Sequence, residues 1–271
     1  MTQTLAVAIA GLGSIGLRVA RALDKGMPGF RLAAVASGTT ARAQAAVSSF
    51  RSPPLVQTLE DLPKEADIVV ECLPPAVFPA LAEHVAAYAP SYFLVVSAGA
   101  LISAKGAAER VAEKGVKIVV PSGAVTGLDG LRAAREVGLQ SVRLVTRKPP
   151  RSFGGSVNHD GGEIATANIT QPLMLFEGTA REAVTLYPKN INVAATISLA
   201  GLGPDATEVE IWADPNVAGN CHELHLRSIA GEARSTAINL PDADNPGSSA
   251  ITGFSVLAAL RRLNDPVSIG S

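Results

Sequence analysis

The side chains of this chain best suited to moving protons or holding anions are four histidines, an Arg-Lys pair and a short run of asparagines. The segment Asn220-Cys221-His222-Glu223-Leu224-His225 places two imidazoles three residues apart. A neutral imidazole accepts a proton near neutral pH, so either can serve as a general base. Read as a strand, the segment puts His222 and Leu224 on one face and His225 on the other. One imidazole can then face a cleft, and His222 is the candidate catalyst. The spacing is too short for an HExxH zinc helix, and Cys72 and Cys221 form no CxxC motif, so no metal is expected. His84 falls within a helical pattern and reads as structural, whereas His159 sits in a polar, glycine-rich loop. Thr146-Arg147-Lys148-Pro149-Pro150 puts two cations at a strand end, where they either hold a carboxylate or face water. Lys189-Asn190-Ile191-Asn192 opens a helical pattern, and its asparagines suit either helix caps or ligand contacts.

The element that must position a partner for this chemistry is the N-terminal stretch LAVAIAGLGSIGLR. Residues 5–10 read as a buried strand. Gly11-Leu12-Gly13-Ser14-Ile15-Gly16 follows directly, and Ile15, Val19, Ala22 and Leu23 continue at helical spacing. Strand, glycine turn and helix in that order form a dinucleotide-binding fingerprint. Gly11 permits the tight turn, Gly13 lets a pyrophosphate approach the backbone, and Gly16 lets the helix pack closely on the strand. The helix N-terminus then offers N–H groups to the phosphates. The second strand, residues 31–36, ends in Ser37-Gly38-Thr39-Thr40, with Arg42 beyond. No acid stands there to repel a 2′-phosphate, and hydroxyls with an arginine can hold one, so NADP is expected alongside NAD.

Further buried strands over residues 66–73, 92–97 and 116–120 alternate with helices. Residues 1–121 are therefore expected to form a doubly wound parallel sheet of the Rossmann kind. Ligands lie beyond the carboxyl ends of such strands. Those ends are the glycine turn, residues 37–40, Leu73-Pro74-Pro75 and Ala98-Gly99, each small or polar where backbone must approach a ligand. After Pro121, the glycine-rich residues 122–130 mark a boundary. Residues 122–244 are expected to form a mixed α/β substrate and dimerisation domain. Its helices fall at 131–137, 179–186 and 192–199, its strands at 141–148, 207–213, 223–228 and 235–240, and residues 149–162 read as a polar loop. Residues 245–263 read as an amphipathic helix returning to the first domain, followed by a loose tail.

Composition narrows the class. With 47% hydrophobic and 4% aromatic residues, the core must be built of Ala, Val, Leu and Ile. A net charge of −1 without a basic run points away from nucleic acid and anionic membranes. Two isolated cysteines suit a reduced, cytoplasmic protein, and neither a signal peptide nor a membrane span is expected.

Taken together, GLGSIG, PSGAVTGLDG, TRKPP, LYPKNINVAAT, NCHEL and DNPGSSAITGFSV resemble, in order and over nearly the whole chain, the L-aspartate dehydrogenases. The resemblance implies oxidation of L-aspartate to iminoaspartate with reduction of NAD or NADP. Hydrolysis then yields oxaloacetate and ammonia, and in some organisms the imine feeds NAD biosynthesis. It also implies a homodimer joined through the second domain. By position, the active-site histidine falls on His222, the nicotinamide-contacting alanine on Ala124 and the cofactor-binding asparagine on Asn192. Leu73, Pro74 and Ala98 complete the expected coenzyme contacts. Gly123, Thr126, Lys148, Lys189 and Asn190 are candidates to hold the substrate, its two carboxylates above all. The Cα hydrogen would leave as hydride while His222 takes the amine proton and then activates water.

Competing readings share the first domain. Sugar dehydrogenases of the glucose–fructose oxidoreductase group carry Glu-Lys-Pro after the fifth strand, where this chain has Ser97-Ala98-Gly99-Ala100. Dihydrodipicolinate reductases carry adjacent paired histidines, which this chain lacks. A related oxidoreductase acting on another small amino or keto acid, or a non-catalytic NADP(H) sensor, would look alike in the first domain. Only the sensor would do without His222.

Overall fold

A computed structural model describes residues 4–159, 162–188, 191–245, 247–267 and 269–270, with the side chains of Asn158 and His159 outside the description. The chain divides into two compact units, Met1–Pro121 with Gly253–Ser268, and Ser122–Thr252 with Ile269–Ser271.

The first unit alternates strand and helix: β1 (Leu5–Ala10), α1 (Ser14–Asp24), β2 (Phe30–Ala36), α2 (Thr40–Val47), β3 (Leu55–Val56), β4 (Ile68–Glu71), α3 (Phe78–Tyr88), β5 (Tyr92–Val95), α4 (Ala98–Ser103), α5 (Lys105–Glu113) and β6 (Lys117–Val119). The strands lie in the order β3-β2-β1-β4-β5-β6, and every pairing is parallel. This is the doubly wound sheet that the alternation predicts. The central strands are buried on both faces, as helix layers on either side require. Val7 and Ile9 of β1 pack with Val19, Leu23, Val35 and Leu94. Ala8 and Ala10 face the other layer with Leu81, Phe78 and Phe93, whose rings stack at 5.8 Å. The stretch at Ala98-Gly99, at the carboxyl edge of the sheet, opens α4, a helix the sequence reading did not assign. Ser97 precedes it without capping it, its hydroxyl donating instead to Glu71 on β4.

The second unit contains α6 (Leu128–Val137), β7 (Leu139–Lys148), β8 (Ser156–His159), β9 (Gly162–Ala165), β10 (Leu173–Thr179), α7 (Ala180–Leu186), α8 (Asn192–Ala200), β11 (Thr207–Ala213), β12 (Asn220–Ser228) and β13 (Gly231–Asn239). Five strands form a mixed sheet in the order β10-β11-β7-β12-β13, antiparallel except for β11 with β7. Within the expected polar loop 149–162, residues 156–159 and 162 instead pair in a separate β8–β9 hairpin. β10 has no counterpart in the sequence reading, because LMLFEGT lacks a clean period-2 alternation. α7 starts at a capping box in which Thr179 and Glu182 satisfy each other's backbone N–H groups. Alternate residues of β7 and β12, among them Val142, Leu144, Leu224 and Leu226, form a buried layer.

The last helix, α9 (Ile251–Arg262), returns Val256 and Leu260 to the core of the first unit. Its Phe254 ring lies beneath the Arg18 guanidinium at 4.9 Å. No described helix is long and apolar enough to cross a membrane.

Candidate active site

The glycine turn of the first unit is set by packing. Gly11 adopts φ +96°, and a Cβ there would lie 2.4 Å from the Cys72 carbonyl oxygen. A Cβ at Gly16 would lie 1.9 Å from the Gly11 carbonyl oxygen. Gly13 differs, since nothing lies within 4 Å of where its Cβ would stand. Two glycines are therefore demanded by neighbouring backbone, and the third leaves the chain open to a ligand. No side chain caps α1 and no acid occupies its first turn, so a phosphate meets no competitor there. These residues fit a dinucleotide.

Both flanks of the turn are tied down. The Gly11 N–H donates to the Ala36 carbonyl at 2.9 Å, joining the turn to the end of β2. There the Thr39 hydroxyl accepts the Arg42 N–H at 3.2 Å and caps α2, while Ser37 is half-buried and the Arg42 side chain is exposed. On the other flank stands Glu71, fully buried. It accepts the Leu73 N–H at 2.7 Å, the Ser97 N–H at 3.0 Å and the Ser97 hydroxyl at 2.7 Å. Burial pushes its carboxyl pKa up against these bonds. Glu71 thus fixes Leu73 and Pro74 relative to Ala98, a role no local motif announces.

In the second unit, the buried layer of β7 and β12 turns polar at one end. Thr146, Lys148 and His222 are each 4% exposed, and Asn220 is 3% exposed. Thr146 stands opposite His222, with its hydroxyl 3.1 Å from Nδ1. Burial and the charge of Lys148 pull the His222 pKa down to about 3. Burial alone lowers Lys148 to about 8. At neutral pH the imidazole is therefore neutral and the ammonium largely charged. Arg147 points to the opposite face, 3.4 Å from Asp214 and with its guanidinium 4.5 Å from the Trp212 ring centre. The two adjacent cations thus have different roles, Arg147 paired and stacked, Lys148 buried on the face of His222. His225 also lies on the opposite face, 3.7 Å from the Glu223 carboxylate.

The glycine-rich crossing is fastened to β13. The Ala124 carbonyl accepts Asn239 Nδ2 at 2.9 Å, and the Thr126 carbonyl accepts the Ser235 hydroxyl at 3.0 Å. Asn239 pairs across the ladder with Asn220, and Ala237 with His222. Gly123, Ala124 and Thr126 are thereby held beside the strands that carry His222. Asn192 is the first residue of α8, with Ile191 in the cap position and no side-chain cap, so it is not the helix cap. Lys189 and Asn190 lie outside the described residues. His84 is half-buried on α3. Among the described residues no group of three or more His, Cys, Asp or Glu side chains is placed to hold a metal. Thr146, Asn220 and Glu71 were not singled out from sequence, because their partners lie 76, 29 and 26 residues away.

Residues 129–263 match the family model for the C-terminal part of aspartate dehydrogenase. Residues 5–94 match that for the NAD-binding Rossmann fold of an oxidoreductase family. L-aspartate dehydrogenase 3 of Bordetella bronchiseptica is 40% identical over 270 residues, which cover 99% of this chain and 98% of that protein. The L-aspartate dehydrogenase of Bradyrhizobium diazoefficiens is 41% identical over 272 residues, covering 100% and 95%. The crystal structure of aspartate dehydrogenase from Thermotoga maritima superposes with a TM-score of 0.74 at 25% identity, covering 98% of this chain and 99% of that one. With relatives of this identity aligned along nearly its whole length, the chain belongs to the L-aspartate dehydrogenase family.

Proposed function

We propose that this protein oxidatively deaminates L-aspartate with NAD or NADP, giving oxaloacetate, ammonia and the reduced coenzyme, and that it runs the reductive amination in reverse. Membership of the family supports the reaction. The observation that carries the chemistry is the buried, neutral His222 hydrogen-bonded to Thr146 beside Lys148. A bound nicotinamide supplies the acceptor for the Cα hydride. The remaining work falls to residues of the chain. With Nδ1–H donating to the Thr146 hydroxyl, Nε2 keeps a lone pair and can take the amine proton. After that proton has passed to solvent, the free Nε2 can take one from the water that adds to the imine and return it to the departing ammonia. Lys148 offers a buried cation to a substrate carboxylate, as do the backbone N–H groups of residues 123–126. A carboxylate against Lys148 would offset the charge that depresses His222 and make the imidazole a stronger base. The glycine turn and α1 hold the pyrophosphate, with Ser37, Thr39 and Arg42 at the adenosine ribose, Leu73, Pro74 and Ala98 along the strand ends, and Ala124 and Asn192 toward the nicotinamide.

The same reading makes the enzyme a cytoplasmic homodimer joined through its second unit. Ile238 on β13, 74% exposed beside the half-buried strand face of Arg147 and Glu223, supports that interface. The deciding experiment follows absorbance of the reduced coenzyme with oxaloacetate, ammonium and either NADH or NADPH. Wild type should consume the coenzyme. His222→Ala should lose about 10²–10⁴-fold in kcat while still binding the coenzyme. Binding without turnover in the wild type would replace the enzyme by a sensor.

A further inference from the structure

Asn220 is 3% exposed and is the first residue of β12, two positions before His222 and on the same strand face. Its Nδ2 donates to the Ser249 hydroxyl at 3.1 Å. Its Oδ1 is buried and has no hydrogen-bond partner. Ser249 is itself buried and held by a tight loop. The Asp242 N–H donates to the Ser248 carbonyl and the Ala250 N–H to the Leu240 carbonyl, both at 2.9 Å. Asp242 Oδ1 accepts the Asp244 and Asn245 N–H groups at 3.0 and 3.2 Å. The strand is equally constrained before Asn220, where a Cβ at Gly219 would lie 2.1 Å from the Asn239 carbonyl oxygen. The amide is thus clamped on both sides while its oxygen goes unsatisfied. Native interiors seldom leave such an acceptor bare, and one that is bare calls for a reason in strain, in function or in a bound partner.

We infer that Asn220 is the amine-holding residue of the substrate site, its Oδ1 accepting an N–H from the α-amino group of the amino acid, or from ammonia in the reverse direction. This rests on the aspartate reading above. The partner must be a donor, because an amide oxygen only accepts. That excludes the substrate carboxylates, which suit the neighbouring cation. Arg147 pairs with Cys221 across the ladder, so Lys148 and Asn220 are the next residues on their two strands. Residues two apart on a strand are separated by about 6.6 Å, so side chains of Asn and His length can converge on one nitrogen. Asn220 then holds the amine while His222 takes its proton, and Lys148 takes a carboxylate. An amino acid carries at Cα an amino group and a hydrogen where its keto acid carries a carbonyl oxygen, so the residue would read the group that the reaction removes.

The test is reductive amination with purified full-length protein, varying ammonium and oxaloacetate separately, for wild type, Asn220→Ala, Asn220→Asp and Ser249→Ala. Coenzyme affinity comes from the fluorescence of the bound reduced nicotinamide, and folding from thermal melts. Asn220→Ala should raise the ammonium KM by at least about tenfold, the loss of one buried hydrogen bond, and leave the oxaloacetate KM within about twofold. Asn220→Asp keeps an acceptor oxygen and should restore most of the ammonium affinity. Ser249→Ala frees the amide and should raise the ammonium KM severalfold. Equal rises in both KM values would mean a structural role and overturn the assignment. A weakened coenzyme with an unchanged ammonium KM would move Oδ1 to the nicotinamide carboxamide and likewise overturn it. Should wild type fail to turn over oxaloacetate and ammonium at all, the aspartate reading falls and this inference falls with it.

Discussion

The Thr146 hydroxyl lies 3.1 Å from Nδ1 of His222, the two residues facing each other across the β7–β12 ladder. This bond sets the ring orientation and, when Nδ1–H is the donor, the tautomer that leaves Nε2 basic. Thr146→Val preserves shape and removes the acceptor. Its kcat should fall about five- to tenfold, the value of one hydrogen bond of about 1 kcal/mol, while Thr146→Ser stays near wild type. Steady-state rates at saturating substrates decide it, and an unchanged Val variant would show that the bond does not orient the base.

Lys148 gives a pH signature whose sign follows from its depressed pKa. Its ordinary value is 10.5, and in the folded chain it is about 8. If its charge holds a substrate carboxylate, kcat/KM for oxaloacetate should be flat between pH 6 and 7.5 and decline above pH 8 (expected for loss of one proton near about 8). His222 titrates near 3 and adds no limb in that window. Lys148→Met should abolish the alkaline limb and lower kcat/KM by about tenfold to a hundredfold.

The same shift has a consequence for stability. Between pH 8 and 10.5 the unfolded chain binds a proton at Lys148 that the folded chain has released, so this residue's contribution to stability rises with pH over that interval. Below pH 8 both states are protonated and the burial cost is fully present. Lys148→Met should therefore raise Tm at pH 7 while impairing turnover. A lower Tm would show that the partners of the ammonium outweigh its desolvation.

The three glycines of the turn should separate packing from binding. Gly11→Ala and Gly16→Ala force a Cβ to within 2.4 and 1.9 Å of backbone oxygens, so both should lower Tm and coenzyme affinity together. Gly13→Ala meets nothing within 4 Å, so it should melt like wild type yet bind coenzyme more weakly. Thermal melts paired with fluorescence titration of the reduced coenzyme distinguish the two classes.

Coenzyme choice should turn on Ser37, which follows the last residue of β2. Ser37→Asp places a carboxylate where the 2′-phosphate of NADPH would lie, and should raise the NADPH KM at least about tenfold without weakening NADH. Arg42→Ala should weaken NADPH alone. Equal effects on both coenzymes would remove residues 37–42 from the ribose site.

Much of the fold was legible because its causes are local. The turn at Gly11 to Gly16 is written in residues that lack a Cβ where backbone crowds in. The strand Thr207–Ala213 has the bounds its alternation predicts, with Val209 and Ile211 buried and Glu208 exposed. α4 escaped because the signal is a buried carboxylate on another strand, and the β8–β9 hairpin because its residues are polar and glycine-rich.

By itself the sequence determined the strand–helix alternation of the first unit, the nucleotide fingerprint and a histidine able to accept a proton. It could not separate Arg147 from Lys148, two adjacent cations of similar length. The tertiary structure decided that one pairs with Asp214 and stacks on the Trp212 ring and that the other is buried on the face of His222. The physical reason is that the pleat sends neighbours to opposite faces, and what waits on each face comes from residues far along the chain. Burial, and with it the pKa of Lys148 and His222, is a property of that assembly and not of any local stretch.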